Sequence, residues 1–501
     1  MLKAYPLSQG APATDAWWPW AGAVVLAAIA GIGVVTLSAE FGERTVYYVA
    51  IAVAVGGAAL VACTRKEPLR FVFLALIVGF PFASALVPPG RLNVDVFDVT
   101  MIALTIAVVI QRLIVRPETK QPLFPTRSLA IAWLLLLPCI AFSTFPATSV
   151  LNSIPLFTYH TFFWFVLAEH RRENGFERLA LFLAGTLLVL ALGVGIDYAL
   201  RTNLSLRDAN LNTLTYLEGF EIYRAGGFFQ DPQRAAAFLA GAITFLLVLT
   251  LRGRFEHPRT RAFVWVAIFA GLAALPLTIS RSAILACLAV SALASFAFNA
   301  WATHLKLAVT ALAVAMALIV AQTSLDLWID VLPTAVRERF LHIDEEFQSR
   351  MLIWADTWDM FAEHPLTGIG PGAFREYLLA TRPGVLNYYG IGSAVGAGYV
   401  PDQPESGYLK VLYEGGVLGT LALLVVLVDT ARRALGVVVD RHADSAARTE
   451  CIAALAGLTT FGVTFVTVFT VNDPRVGALW AWLLAVIWHR SLERSRAAGG
   501  R

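Results

Sequence analysis

Two arginines in this chain stand where an ordinary solvated surface does not explain them. Arg281 lies in Thr278-Ile-Ser-Arg-Ser-Ala283, between two apolar runs with almost no loop. An arginine at or within a membrane face needs a partner. One reading is an interfacial side chain that snorkels to water or pairs with a loop carboxylate. The other is a fixed cation whose planar fork suits phosphate oxygens. Arg224, in Tyr223-Arg-Ala-Gly-Gly-Phe-Phe-Gln-Asp-Pro232, stands just before another apolar run, and glycines beside it would let a ligand approach the backbone closely. His160, midway along an apolar run, is either a proton relay or a neutral ring bonded to a neighbouring helix. His342 and His364 lack the partner spacing of a zinc site, so His364 reads as shaping a turn. Asp344-Glu-Glu346 reads as solvated carboxylates. The chain has no glycine-rich phosphate loop and no Asp-x-Asp pair for a metal–nucleotide sugar.

The elements that must hold these residues are membrane helices. With 58% of 501 residues hydrophobic, 15% charged and a mean hydropathy of +0.68, too little polar surface exists to cover a soluble core. Apolar runs long enough to cross a bilayer fall at about 18–38, 46–63, 70–87, 97–115, 128–145, 150–169, 178–200, 233–251, 262–280, 282–300, 303–324, 406–430, 449–471 and 475–490. That predicts an all-α polytopic protein of fourteen spans. The first, Trp18 to Ser38, is an uncleaved helix. Basic residues concentrate in alternate loops, among them Arg171, Arg172, Arg252, Arg254, Arg432, Arg433, Arg490 and Arg494. By the positive-inside rule those loops and both termini are cytoplasmic. Segments 201–232 and 325–405 are then external, periplasmic in a bacterial inner membrane. The organisation expected is spans 1–11 over 1–324, a loop domain over 325–405, and spans 12–14 with a tail over 406–501. Cys63, Cys139, Cys287 and Cys451 all fall in apolar runs and read as small core residues.

The long loop has structure of its own. From Gln348 to Glu363, the residues Met351, Trp354, Ala355, Trp358 and Phe361 recur at three- and four-residue steps. That predicts an amphipathic helix lying on the membrane or capping a cavity. A breaker-rich turn follows, His364-Pro-Leu-Thr-Gly-Ile-Gly-Pro-Gly372, and then a Gly- and Tyr-rich stretch through Tyr399 that reads as loop.

Taken in order, Arg224-Ala-Gly-Gly-Phe228, Leu277-Thr-Ile-Ser-Arg-Ser-Ala283, Arg350-Met-Leu-Ile-Trp354 with the turn His364–Gly372, and Ser406-Gly-Tyr-Leu409 with Tyr413-Glu-Gly-Gly-Val-Leu-Gly419 resemble the O-antigen ligase and polysaccharide polymerase superfamily. The resemblance covers Arg224 to Gly419 and the first spans by topology alone. It implies an integral-membrane glycosyltransferase of the GT-C type, inverting and metal-independent, with no cofactor and no nucleic-acid partner. The donor would be an oligosaccharide on undecaprenyl diphosphate. A flippase and a chain-length regulator of the same pathway are possible partners. A diphosphate leaving group needs cations, and an acceptor hydroxyl needs a base. Arg224, Arg281 and Arg350 match the family's cationic positions; Arg350, Tyr408, Lys410, His364 and Asp402 would bind the diphosphate or glycan, and Glu414 matches a family glutamate that would pair with Lys410 one turn earlier unless Lys410 reaches the diphosphate instead.

For the base, the ligases carry a histidine in a His-Asn-Ser-Tyr-Leu type motif, and the matching stretch here reads Glu405-Ser-Gly-Tyr-Leu409. Glu405 is therefore either the base or a cap for the twelfth span, with Asp402 and His364 as alternative bases. The departure favours polymerisation of lipid-linked repeat units into a surface or exopolysaccharide over ligation to a lipid A core or protein. An anion or lipid-glycan transporter is a third reading, although no duplicated broken helices are visible. Asp231, where relatives carry asparagine, has no reading from sequence.

Overall fold

The computed structural model describes residues 73–74, 77, 101–104, 127–201, 204, 214–217, 220–229, 231–298, 343–381 and 403–499. Most of the first four expected spans, the run 303–324, His342 and Asp402 lie outside the described residues. The helices are α1 (Arg127–Ala141), α2 (Pro146–His170), α3 (Gly175–Leu200), α4 (Pro232–Leu251), α5 (Pro258–Ala274), α6 (Arg281–Phe298), α7 (Ile343–Glu363), α8 (Phe374–Thr381), α9 (Gly407–Val439), α10 (Ser445–Thr464) and α11 (Pro474–Gly499). An antiparallel hairpin, β1 (Leu214–Leu217) and β2 (Phe220–Tyr223), departs from the all-α expectation.

Helices α2, α4, α5 and α11 each open on a proline, whose fixed φ suits the first turn and whose missing N–H has no helical partner to lose there. Five of the described helical segments are long and apolar enough to cross a membrane: Pro146–His170, Gly175–Leu200, Pro232–Leu251, Pro258–Thr278 and Gly407–Val439. The chain is a helical membrane protein. The fourth of these segments combines α5 with a 3₁₀ turn, Leu275–Thr278.

Helix α4 is apolar and buried on every side, which places it at the centre of the bundle. It packs on α3, α5, α6 and α10. Small and hydroxylic residues let these helices approach: Gly241 faces the Phe461 ring, and Thr244 accepts from Thr460 at 3.1 Å and from Ser291 at 3.4 Å. The helices alternate in direction. At one end Glu450, fully buried, takes Arg254 at 2.8 Å and Arg490 at 2.6 Å. At the other end lie the hairpin, the 224–231 segment, the turn before Arg281, helices α7 and α8, and the start of α9.

Two expectations are corrected here. The run 449–471 is helical only to Thr464, and 465–473 is an irregular strip. The stretch after Gly372 is not loop throughout, because Phe374, Tyr377 and Leu378 recur at helical spacing and are buried in α8. Helix α7 exists where it is expected. Its packed face is Ile353, Thr357 and Met360, while Met351, Ala355 and Trp358 of the expected stripe are exposed. Cys139, Cys287 and Cys451 are buried free thiols.

Candidate functional site

The arginine-glycine segment is built first by Asp197, a fully buried carboxylate near the end of α3. One of its oxygens accepts the Gly226 and Gly227 N–H groups at 2.8 and 2.6 Å. The other accepts the Tyr223 hydroxyl. Burial and this carboxylate push the Tyr223 phenol above its ordinary range. Gly227 is left-handed (φ +60°), and a Cβ there would lie 2.8 Å from the Val194 nitrogen. The glycines thus admit the protein's own backbone and carboxylate, which corrects the expectation of a close ligand approach. From the other side Arg475, also fully buried, donates to the Phe228 carbonyl at 2.9 Å and lies 3.6 Å over the Phe229 ring. Asp473 holds Arg475 at 2.9 Å.

Arg224 emerges from this clamp and is itself buried. Its Nε donates to the Thr278 carbonyl at 3.4 Å, and the Ala225 N–H donates to Leu277 at 3.1 Å. Both acceptors belong to the turn that leads into Arg281. In that turn Ile279 is left-handed (φ +53°), an outlier for a β-branched residue. Arg281 begins α6 and is half-buried. The structure therefore brings the Arg224 segment against the base of Arg281. Asp231, unread from sequence, caps α4 by accepting the Gln233 N–H at 2.8 Å.

Glu405 and Arg350 form the second group. Arg350 Nη2 lies 3.8 Å from Glu405 Oε2, with both side chains mostly buried. Glu405 is left-handed (φ +51°). The cap of α9 is Ser406, whose Oγ accepts the Leu409 N–H at 3.5 Å, so the capping role proposed for Glu405 is taken by its neighbour. Two of the four left-handed non-glycine residues among the described residues are thus Glu405 and the residue two before Arg281. Such strain persists only where surroundings over-determine it, and it concentrates at functional sites.

The strip 465–473 knits the two groups together. Gly407 N–H donates to Phe465 at 2.8 Å, Thr467 Oγ1 to Ser282 at 2.8 Å, and Phe469 N–H to Gln403 at 2.9 Å. Beyond it the chain reaches Asp473 and Arg475.

The third group is an interlock. Helix α9 breaks at Gly416 (φ 60°, ψ −159°). In a membrane, backbone groups freed by a break must be satisfied by protein. The Tyr413 carbonyl accepts from Ile369 (3.2 Å) and that of Glu414 from Gly370 (2.9 Å), while Val417 and Leu418 donate to Pro365 (2.9 Å) and Leu366 (3.1 Å). The Gly415 carbonyl accepts the Cys139 thiol at 3.1 Å. The His364–Gly372 motif is the plug of a broken helix. Glu414 binds Lys410 at 2.8 Å and also accepts the Gly372 N–H at 2.8 Å. His364 packs edge-on against Tyr377, 5.7 Å between centroids, which agrees with its turn-shaping role. Tyr408 donates to the Gly462 carbonyl at 2.8 Å. His160 accepts from Trp164 one turn on, at 3.2 Å, within its own helix.

Residues 265–424 match the family model described as O-antigen ligase. Over that segment the chain is similar to the O-antigen ligase and Wzy-type superfamily. It takes in Arg281, Arg350, His364, Asp402, Glu405, Tyr408, Lys410 and the whole interlock, and leaves Arg224 and its clamp outside. Members of the superfamily are membrane glycosyltransferase-like enzymes, with lipid-linked glycans as their substrate class. No curated protein matches the chain. Asp197, Asp473 and Arg475 escaped the sequence reading. Asp197 sits in an apolar run as a lone acid, which was its only signal.

Proposed function

We propose that the chain is a polymerase of lipid-linked oligosaccharide repeats in a bacterial inner membrane. The end bearing Arg281 and Glu405 would face the periplasm, and both termini the cytoplasm. The donor's diphosphate lies against Arg281 and Arg224, and Arg350 steadies donor or acceptor. The acceptor hydroxyl oxygen attacks the anomeric carbon as the carbon–oxygen bond to the diphosphate breaks. The bond pair goes to the phosphate oxygen, where the guanidiniums offset the growing charge. The hydroxyl proton passes to the Glu405 carboxylate. One displacement inverts the anomeric carbon. Helix α7 with its neighbours excludes water, so that the chain is transferred rather than hydrolysed. A flippase would deliver the donor and a chain-length regulator would act on the product.

The observation that carries this reading is the pairing of Arg350 with Glu405, whose own backbone is left-handed, tied through 465–473 to Ser282 beside Arg281. The test is purified protein with a lipid-diphosphate-linked oligosaccharide, followed by gel and mass spectrometry for wild type and Glu405→Ala. A ladder of lipid-linked repeats that disappears in the variant is expected. A ladder that survives removes Glu405 as the base, and single transfer only to an added lipid A core turns the reading to ligation.

A further inference from the structure

We infer that Asp197 is a positioning residue for Arg224, acting through the backbone of Gly226 and Gly227; this rests on the donor-binding role proposed for Arg224. A carboxylate inside an apolar helix is costly unless it is fully bonded. Here its side-chain hydrogen bonds among the described residues all go to one short segment: the Tyr223 hydroxyl and the Gly226 and Gly227 N–H groups, on either side of Arg224.

Two consecutive N–H groups pointing one way form a concavity for an anion. In this protein the anion is built in. Arg475 holds the next carbonyl, that of Phe228, from the opposite side. The segment is therefore gripped by a fixed anion at its N–H groups and a fixed cation at its C=O. Arg224 leaves it toward the Thr278 carbonyl and the turn of Arg281. Phe228 packs over Gly193, one turn before Asp197, where any Cβ would lie 2.5 Å from its ring, so the segment cannot slide along α3.

The charge of Asp197 is less important here than its acceptors. Asparagine can keep the oxygen that serves both glycines and turn its NH₂ to the Tyr223 oxygen. Alanine removes all three bonds. The discriminating experiment is a double-mutant cycle on binding of an isoprenoid diphosphate to purified protein, with Asp197→Ala, Arg224→Ala and both together. Asp197→Ala is expected to weaken binding about tenfold, as does Arg224→Ala, and the double variant no further than Arg224→Ala alone. Asp197→Asn is expected to restore binding to within about threefold of wild type, because the oxygen that accepts both glycine N–H groups survives.

Additive losses in the cycle, or wild-type binding by Asp197→Ala, would overturn the assignment. No binding by the wild-type protein would instead overturn the donor reading beneath it. Should Asp197→Ala fail to accumulate, Tyr223→Phe and Gly226→Ala run the same cycle under the same criteria. The Cβ of the latter would lie 2.8 Å from the Phe229 carbonyl oxygen and displace the segment from within.

Discussion

Gly415 and Gly416 are neighbours in one helix, yet replacing each with alanine should give opposite results. At Gly416 the backbone occupies a region that only glycine adopts freely, and an L-residue there costs about 1–3 kcal/mol. Its Cβ would also lie 2.4 Å from the Leu366 oxygen and 2.5 Å from the Gly368 nitrogen. Those are backbone atoms, so no rotamer change relieves the overlap. The plug must back away, and losing even two of its four backbone bonds to α9 adds about 2 kcal/mol at about 1 kcal/mol each. The sum is about 3–5 kcal/mol, a drop in melting temperature on the order of 5–10 °C. At Gly415 an added Cβ meets nothing within 4 Å, so Gly415→Ala should stay within about 1 kcal/mol of wild type. The assay is thermal unfolding of purified protein in detergent, followed by tryptophan fluorescence and monodispersity. Equal melting temperatures for the two variants would refute the interlock as the restraint on α9.

Three further outcomes are expected. Arg281→Lys keeps the charge and loses the fork, so glycan transfer should fall on the order of tenfold with folding unchanged; full activity would return Arg281 to interfacial snorkelling. Lys410 and Glu414 are both nearly buried, so Glu414→Gln should cost about 3–5 kcal/mol by stranding the ammonium. Adding Lys410→Met should recover part of that, because glutamine still accepts the Gly372 N–H; a double variant less stable than Glu414→Gln would contradict the pairing. Burial pushes the Asp473 carboxyl up, but Arg475 beside it pulls it further down, below its ordinary 3.8. A carboxyl depressed on folding contributes stability that is present above its unfolded pKa and lost as pH falls through the folded one. The difference in melting temperature between wild type and Asp473→Asn should therefore be full at neutral pH and shrink below about pH 4; a gap independent of pH would exclude the linkage.

The helices were legible in the sequence because lipid leaves the chain few options, and apolar length with proline starts marks them directly. The arginines were legible because a cation in an apolar setting stands out against its surroundings. Other features were hidden by the same composition. Asp197 is a lone acid in the apolar part of a helix of twenty-six residues, and nothing local tells a structural anchor from a relay. The strip 465–473 is apolar enough to extend the run before it, so hydropathy could not show that the helix stops at Thr464. What periodicity alone did not show is which part of α7 meets protein: Met360 joins the cluster around Tyr413 and Phe374, and Phe361 packs against it.

That cluster explains why a membrane helix should be broken at all. Arg350 is on α7 and Glu405 precedes α9, and a helix lying outside the bundle has little to fix its distance from one inside it. The break at Gly416 opens backbone groups, four of which bond to the His364–Gly372 turn, and the turn continues directly from α7. Met360 of α7, Ile369 of the plug, Phe374 and Tyr377 of α8 and Tyr413 of α9 then share one small core. The Tyr377 hydroxyl donates to Glu363 at 2.5 Å, tying α8 back to the end of α7. The approach of Arg350 to Glu405 is thus set through the plug and its core. Four hydrogen bonds fix the register of the plug on α9, since a shift of one residue would leave donors facing donors. An unbroken α9 would satisfy its own backbone and leave α7 no purchase on it.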